Sequence, residues 1–134
     1  MFGRKLEVVQ VRIGAPRDVA GWHYERELVE WHTGAGGSRL ANFKRDLGAY
    51  ISEGDLRRLF QRAIETPRIE DAHGVPWLVV YGISNNTRAF WSLVGAREVL
   101  GYEPVDDSEV KYADDVRRLL TGPDANIPGG RVGP

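Results

Sequence analysis

The 134-residue sequence contains no cysteine, which excludes disulfides, thiolate metal sites and a thiol nucleophile. Histidine is scarce as well. His23, His32 and His73 are scattered, with no carboxylates grouped around them, so neither a metal site nor a Ser-His-Asp constellation is expected. No apolar run reaches the roughly 18 residues that a membrane-spanning helix requires, and the N-terminus lacks the apolar stretch of a signal peptide. An excess of one charge is also missing. The 18 basic and 19 acidic side chains leave a net charge of −1, without the basic footprint of a nucleic-acid binder. A soluble, cytoplasmic protein is the expectation.

What is present fits one globular domain. With 42% hydrophobic and 28% charged residues the composition is that of an ordinary folded chain, long enough to bury a core. No internal repeat is visible. Leu6, Val8, Val9, Val11 and Ile13 read as a strand ended by Gly14-Ala15-Pro16. Val19 to His32 reads as a short helix or an ordered loop, and Gly34 to Ser38 as a flexible linker. Tyr50-Ile51 is expected to form a short bridging strand. Ser52 then reads as a helix N-cap, with Glu53 and Asp55 in the first turn facing the positive end of the helix dipole. Leu56, Leu59, Phe60, Ala63 and Ile64 form the expected buried stripe of that helix, Arg57, Arg58, Gln61 and Arg62 its wet face, and Thr66-Pro67 its end.

The most informative stretch runs from Trp77 to Pro104. Trp77 to Tyr81 is an uninterrupted apolar run, which suits a strand covered on both faces. Ser84, Asn85 and Asn86 break it with residues that favour turns and caps. Phe90, Leu93, Ala96, Val99 and Leu100 follow at mostly helical spacing, with Gly101 as the stop and Phe90 and Trp91 as expected core aromatics. Asp107-Ser108 opens a last helix carrying Val116, Leu119 and Leu120, ended by Gly122-Pro123. Asp106, Asp107, Glu109, Asp114 and Asp115 read most simply as a solvated acidic face. Residues 1–121 thus read as one unit, and residues 122–134, rich in Gly and Pro, as a disordered tail.

Several of these segments, in this order, resemble the C-terminal part of extended short-chain dehydrogenases, the NAD-dependent epimerase/dehydratase family, and within it uronate dehydrogenase-like enzymes. The segments are LEVVQVRIG at Leu6–Gly14, RDLGAYISEGDLRRLF at Arg45–Phe60, the Ser84–Trp91 turn and LGYEP at Leu100–Pro104. The resemblance implies an α/β fold of partial Rossmann-like architecture, made of the C-terminal strands and helices of such an enzyme. It implies a parent reaction of hydride transfer between NAD or NADP and a sugar or sugar acid. That family also carries a glycine-rich phosphate turn after its first strand and a Tyr-x-x-x-Lys pair. Neither is here. The residues four positions after the five tyrosines are Leu28, Gly54, Asn85, Asp106 and Val116. Gly34-Ala35-Gly36-Gly37 has the wording of a phosphate turn, but Arg39 stands where the third glycine belongs and no apolar strand precedes it. The chain reads as a C-terminal portion, without a catalytic residue of its own and expected not to bind the cofactor alone.

Candidate site residues follow from this resemblance. Arg45 falls where uronate dehydrogenase-like enzymes place an arginine on the substrate carboxylate, which a guanidinium grips through two parallel hydrogen bonds. The competing reading is a solvated arginine beside Lys44 and Asp46. Ile13 and Gly14 lie at the strand end that the resemblance assigns to the nicotinamide end of the cofactor, and Ala15 at the substrate. Related uronate dehydrogenases often have serine at Ala15, which places a uronate substrate in question. Ser84 and Asn86 read as substrate contacts or, more simply, as turn caps; Arg12 reads as a structural charge at a sheet edge. The competing function is a non-catalytic small-ligand or protein-interaction module that kept the fold. Self-association or a complementary N-terminal half is expected near Val9, Val11, Val79 and Tyr81, because both strands are too apolar to face water.

Overall fold

Two strands lie side by side in a small sheet. In the computed structural model, which describes residues 6–25 and 39–120, β1 (Val8–Ile13) pairs in parallel with β2 (Trp77–Gly82). The register runs from Val8 opposite Trp77 to Ile13 opposite Gly82. Between them come α1 (Trp22–Glu25), α2 (Arg39–Ala49) and α3 (Glu53–Glu65); after β2 come a π-helical segment (Ala96–Leu100), α4 (Ser108–Lys111) and α5 (Ala113–Leu120). This is a mixed α/β architecture with a small parallel sheet, as the alternation of patterns predicts, and it is compatible with a partial Rossmann-like arrangement. Among the described residues no helix is long and apolar enough to cross a membrane. The expected Gly34–Ser38 linker, the second half of the Val19–His32 segment and the tail lie outside the described residues.

Among the described residues the helices cover one face of the sheet. Val80 is buried, and Val9, Val11 and Leu78 pack towards a core of Ile51, Leu59, Ile83, Leu100 and Tyr102. The alternate residues turn outward: Trp77 is 54% and Val79 44% exposed. The expectation of a strand covered on both faces is therefore corrected, because side chains alternate along a strand and the helices supply a single layer. Val9 and Val11 belong to the inner face, so of the four residues expected near a contact only Val79 and Tyr81 share the outer one. Tyr81 is partly covered there by Trp91, stacked on it at 5.0 Å between centroids. Arg12 lies over the same tyrosine ring, 6.0 Å from its centroid, and among the described residues no carboxylate pairs with it.

Ser52 caps α3 as expected, its Oγ accepting the Asp55 N–H at 3.0 Å, and Thr66 closes the helix by donating its N–H to the Arg62 carbonyl. The buried stripe is narrower than expected. Leu59 is fully buried and Leu56 and Ala63 pack on the core, whereas Phe60 is 43% and Ile64 82% exposed. These two stand one residue, about 100° of helix rotation, beyond Leu59 and Ala63 and so turn past the core edge. The helix expected over Phe90–Leu100 is also shorter. The Ser92 hydroxyl accepts the Val94 N–H, the helical turns begin there, and Phe90 is left half exposed. Gly101 ends the segment in the left-handed region at φ 67°, as its glycine predicts.

A helix that the sequence reading leaves unassigned, α2, carries the second core. Phe43 and Leu47 are fully buried and pack with Val19, Tyr50, Tyr112 and Val116. The acidic residues near the C-terminus are fasteners more than a solvated face. Asp107 caps α4 and binds Thr87, Glu109 grips Arg88, and Asp115 accepts the Gly21 N–H.

Asp55 has the most demanding position of any carboxylate in α3. It is fully buried and accepts the Val105 N–H at 2.9 Å, the Asp106 N–H at 3.1 Å and Arg58 Nη1 at 2.9 Å. Asp55→Ala strands two backbone donors and is expected to cost about 3 kcal/mol, read as a lower urea midpoint. Asp55→Asn, which keeps an acceptor, should cost less. A midpoint for Asp55→Ala no lower than that of the exposed-site variant Glu53→Ala would refute this assignment.

Candidate functional site

The ends of the two parallel strands bring three chain segments together. After β1, the Gly14 N–H bonds to the Gly82 carbonyl at 2.9 Å and the Ala15 N–H to the Ala49 carbonyl at 2.7 Å. The Ile51 N–H returns to the Ala15 carbonyl at 3.2 Å, forming the short bridge expected at Tyr50-Ile51. Glycine is required at position 14 because a Cβ there would stand 2.0 Å from the Ala49 carbonyl oxygen. After β2, the Ser84 N–H and the Asn86 side-chain amide both donate to the Tyr50 carbonyl at 2.8 Å. The Ser84 hydroxyl accepts the Ser52 N–H at 3.0 Å, and the Asn86 side-chain oxygen accepts the Ser108 N–H at 3.1 Å.

The structure thus gathers Ile13, Gly14, Ala15, Ser84 and Asn86 at one end of the sheet, the end at which open α/β sheets bind ligands. Their accessibility differs. Ile13 is 41% exposed, whereas Ala15, Ser84 and Asn86 are buried. The Ser84 hydroxyl and the Asn86 amide hold backbone groups, the capping role that competes with ligand contact. Asn85 is exposed and accepts a hydrogen bond from Arg97.

Arg45 sits on α2, one helical turn before Ala49. It is not simply solvated: its Nε and Nη2 both lie 3.0 Å from Oδ1 of Asp46. Asp46 is buried, and its other oxygen accepts the Tyr24 hydroxyl at 2.7 Å. Burial, then the negative charge of Asp46, raises the Tyr24 pKa well above that of a free phenol. Arg17 reaches Oδ1 of Asp46, the oxygen that Arg45 engages, at 3.4 Å. Sequence reasoning names Arg45 alone; the adjacency of Arg45 and Asp46 and the apolar spacing Leu40, Phe43, Leu47 were the signals for the rest.

A second polar cluster borders the site. Lys111 donates to the Tyr50 hydroxyl at 2.9 Å and lies over the rings of Tyr50 and Tyr112, and that hydrogen bond raises the lysine pKa. The Tyr112 hydroxyl accepts the Val19 N–H and donates to Asp18. Burial first, with the Asp18 hydrogen bond adding to it, pushes the Tyr112 pKa up to about 12.

A dinucleotide cofactor would meet an apolar strand end here. Ile13 offers an apolar surface for a flat ring, but the space beside Gly14 is filled by the Ala49 carbonyl. Among the described residues no glycine-rich turn joins a strand to a helix N-terminus, the usual seat of a pyrophosphate.

The buried phenols set an alkaline limit. The folded chain holds the Tyr112 proton more tightly than the unfolded chain, where tyrosine ionises near ~10. Its contribution to stability is therefore intact below pH about 10 and falls as the pH climbs towards about 12. Lys111, also raised, acts in the same direction. Equilibrium urea unfolding at stepped pH should show this loss, with a shallower slope for Tyr112→Phe; an unchanged slope would remove Tyr112 from the account.

Comparison with known proteins places the chain beside two dehydrogenases. It is 33% identical over 96 residues to the uronate dehydrogenase of Pseudomonas syringae pv. tomato, a match covering 69% of this chain and 32% of that protein. It is 36% identical over 66 residues to the NAD-dependent glucose-6-phosphate dehydrogenase of Haloferax volcanii, covering 49% of this chain and 22% of that protein. No family model and no solved structure matches. The chain therefore spans about a third or less of the length of these relatives, and over that span it is dehydrogenase-like.

Proposed function

We propose that this chain is the substrate-side, C-terminal portion of an NAD- or NADP-dependent oxidoreductase or epimerase acting on a sugar or sugar acid in the cytoplasm. It is inactive alone because the glycine-rich turn and the Tyr-x-x-x-Lys pair are not among its residues. The observation that carries this reading is the convergence of the Ile13–Ala15, Tyr50–Ser52 and Ser84–Asn86 segments at the strand ends. In this reading Ile13 and Gly14 face the cofactor and Ala15, Ser84, Asn86 and Arg45 border the substrate, with Arg45 matched to a carboxylate. The matched relatives are named for a uronate and for glucose 6-phosphate, which supports an oxidised or phosphorylated sugar. The exposed outer face of β2, with Trp77 and Val79, is assigned to a complementary N-terminal portion or a second copy. A non-catalytic ligand or interaction module is the second reading, favoured by the engagement of Ser84 and Asn86 with backbone groups.

Binding and activity assays test the claim of inactivity, and complementation separates the two readings. Calorimetry on the isolated chain should detect no micromolar NAD binding, and no NAD reduction should occur with galacturonate or glucuronate. Clear NAD binding would overturn the claim of inactivity. Supplying the remaining portion of the Pseudomonas relative in trans should restore turnover, and its failure would favour the module. In the restored enzyme, Arg45→Lys should lower kcat/KM for a uronate by about 1.5–3 kcal/mol of transition-state stabilisation, because the lysine cannot make the paired contact. Unchanged kinetics would return Arg45 to a structural role.

A further inference from the structure

The Arg17, Arg45 and Asp46 cluster has more cation than its own contacts use. Both guanidinium groups end on one oxygen of Asp46, whose side chain is 5% exposed. Its other oxygen is occupied by the Tyr24 hydroxyl. Among the described residues neither arginine has another carboxylate within ion-pair distance, so two positive charges share one negative charge.

The two arginines are held differently. Arg45 is 26% exposed and forks onto the carboxylate at 3.0 Å; Arg17 is 52% exposed and only reaches it at 3.4 Å. A charge-assisted N–H···O contact settles at roughly 2.7–2.9 Å when geometry allows, so the Arg17 contact is loose. The cluster also adjoins the strand ends. Arg17 lies two residues beyond Ala15, and Arg45 one turn before Ala49, whose carbonyl holds the Ala15 N–H.

We infer that Arg17 and Arg45 together form a seat for an oxyanion, a carboxylate or phosphate carried by a sugar-sized ligand, with Asp46 as the positioning residue that aims both guanidinium groups. This deepens the substrate-side reading and rests on it only for the sugar. Arg45 is the anchored half of the seat. Arg17, half in water and loosely paired, is the arm that closes on the ligand and brings the donors a second acceptor group needs.

The test follows the arginine side-chain Nε–Hε resonances of the whole chain by NMR during titration with galacturonate, glucose 6-phosphate, inorganic phosphate and neutral galactose. Saturable shifts at both Arg17 and Arg45 are expected with the anions and none with galactose; preference for galacturonate or glucose 6-phosphate tells carboxylate from phosphate. Arg17→Gln should weaken anion binding several-fold, Arg17→Lys less, and the exposed-site control Arg68→Gln not at all. Shifts at Arg45 alone, no saturable shift at tens of millimolar, or full affinity in Arg17→Gln would overturn the seat. The wild-type titration decides the question even where a variant fails to fold. Shifts at both arginines without restored turnover in the complementation assay would preserve the seat and remove the enzyme reading.

Discussion

The carbonyl oxygen of Tyr50 is the contact on which the arrangement of the strand ends depends. It accepts the Ser84 N–H and the Asn86 side-chain amide, each at 2.8 Å. Tyr50 is itself paired to Ala15, so one peptide unit ties the turn after β2 to the extension of β1. A carbonyl has two lone pairs, and here both are used in a buried setting where water could not replace a lost donor. The side chain of the same residue points into the second core, where it meets Tyr112 edge-on at 5.7 Å. Backbone and ring together therefore couple the sheet to the α2–α5 layer.

Much of this framework was legible in the residues. Both strands, the Ser52 cap, the Thr66 end and the Gly101 stop depend on local chemistry: β-branched runs, a hydroxyl before a helix, a residue preceding proline, a glycine at positive φ. Such features are encoded within a few positions of where they act. Exposure was less legible. The apolar Trp77–Tyr81 run reads as covered on both sides, yet which face is covered is decided by the number of helices that return to it. Phe60 and Ile64 failed in the same way, since helical spacing gives a stripe but not its width.

The site was legible in outline only. Resemblance selects Arg45, Ala15, Ser84 and Asn86 by position, but position does not reveal what a side chain is already bonded to. Asp46 is the instructive case. Beside Arg45 it looks like one more surface charge, and its burial appears only when Tyr24 and Arg17 arrive from another part of the chain. Long-range convergence of this kind leaves no periodicity in the sequence.

The way polar groups are used at the strand ends bears on what this portion of a dehydrogenase-like fold contributes. Ser84 and Asn86 are buried and their polar atoms hold backbone, so loss of either leaves unsatisfied groups inside the protein. Their chemistry goes into keeping three segments in register. Arg17 and Arg45 are different, because among the described residues their shared carboxylate balances one of two charges and both remain partly open to water. A rigid, hydrogen-bonded floor beside a surplus cation is suited to orienting an anionic ligand rather than to transforming it. In the proposed reading a substrate-side element draws on that division of labour: geometry from the groups that hold backbone, recognition from the arginine pair.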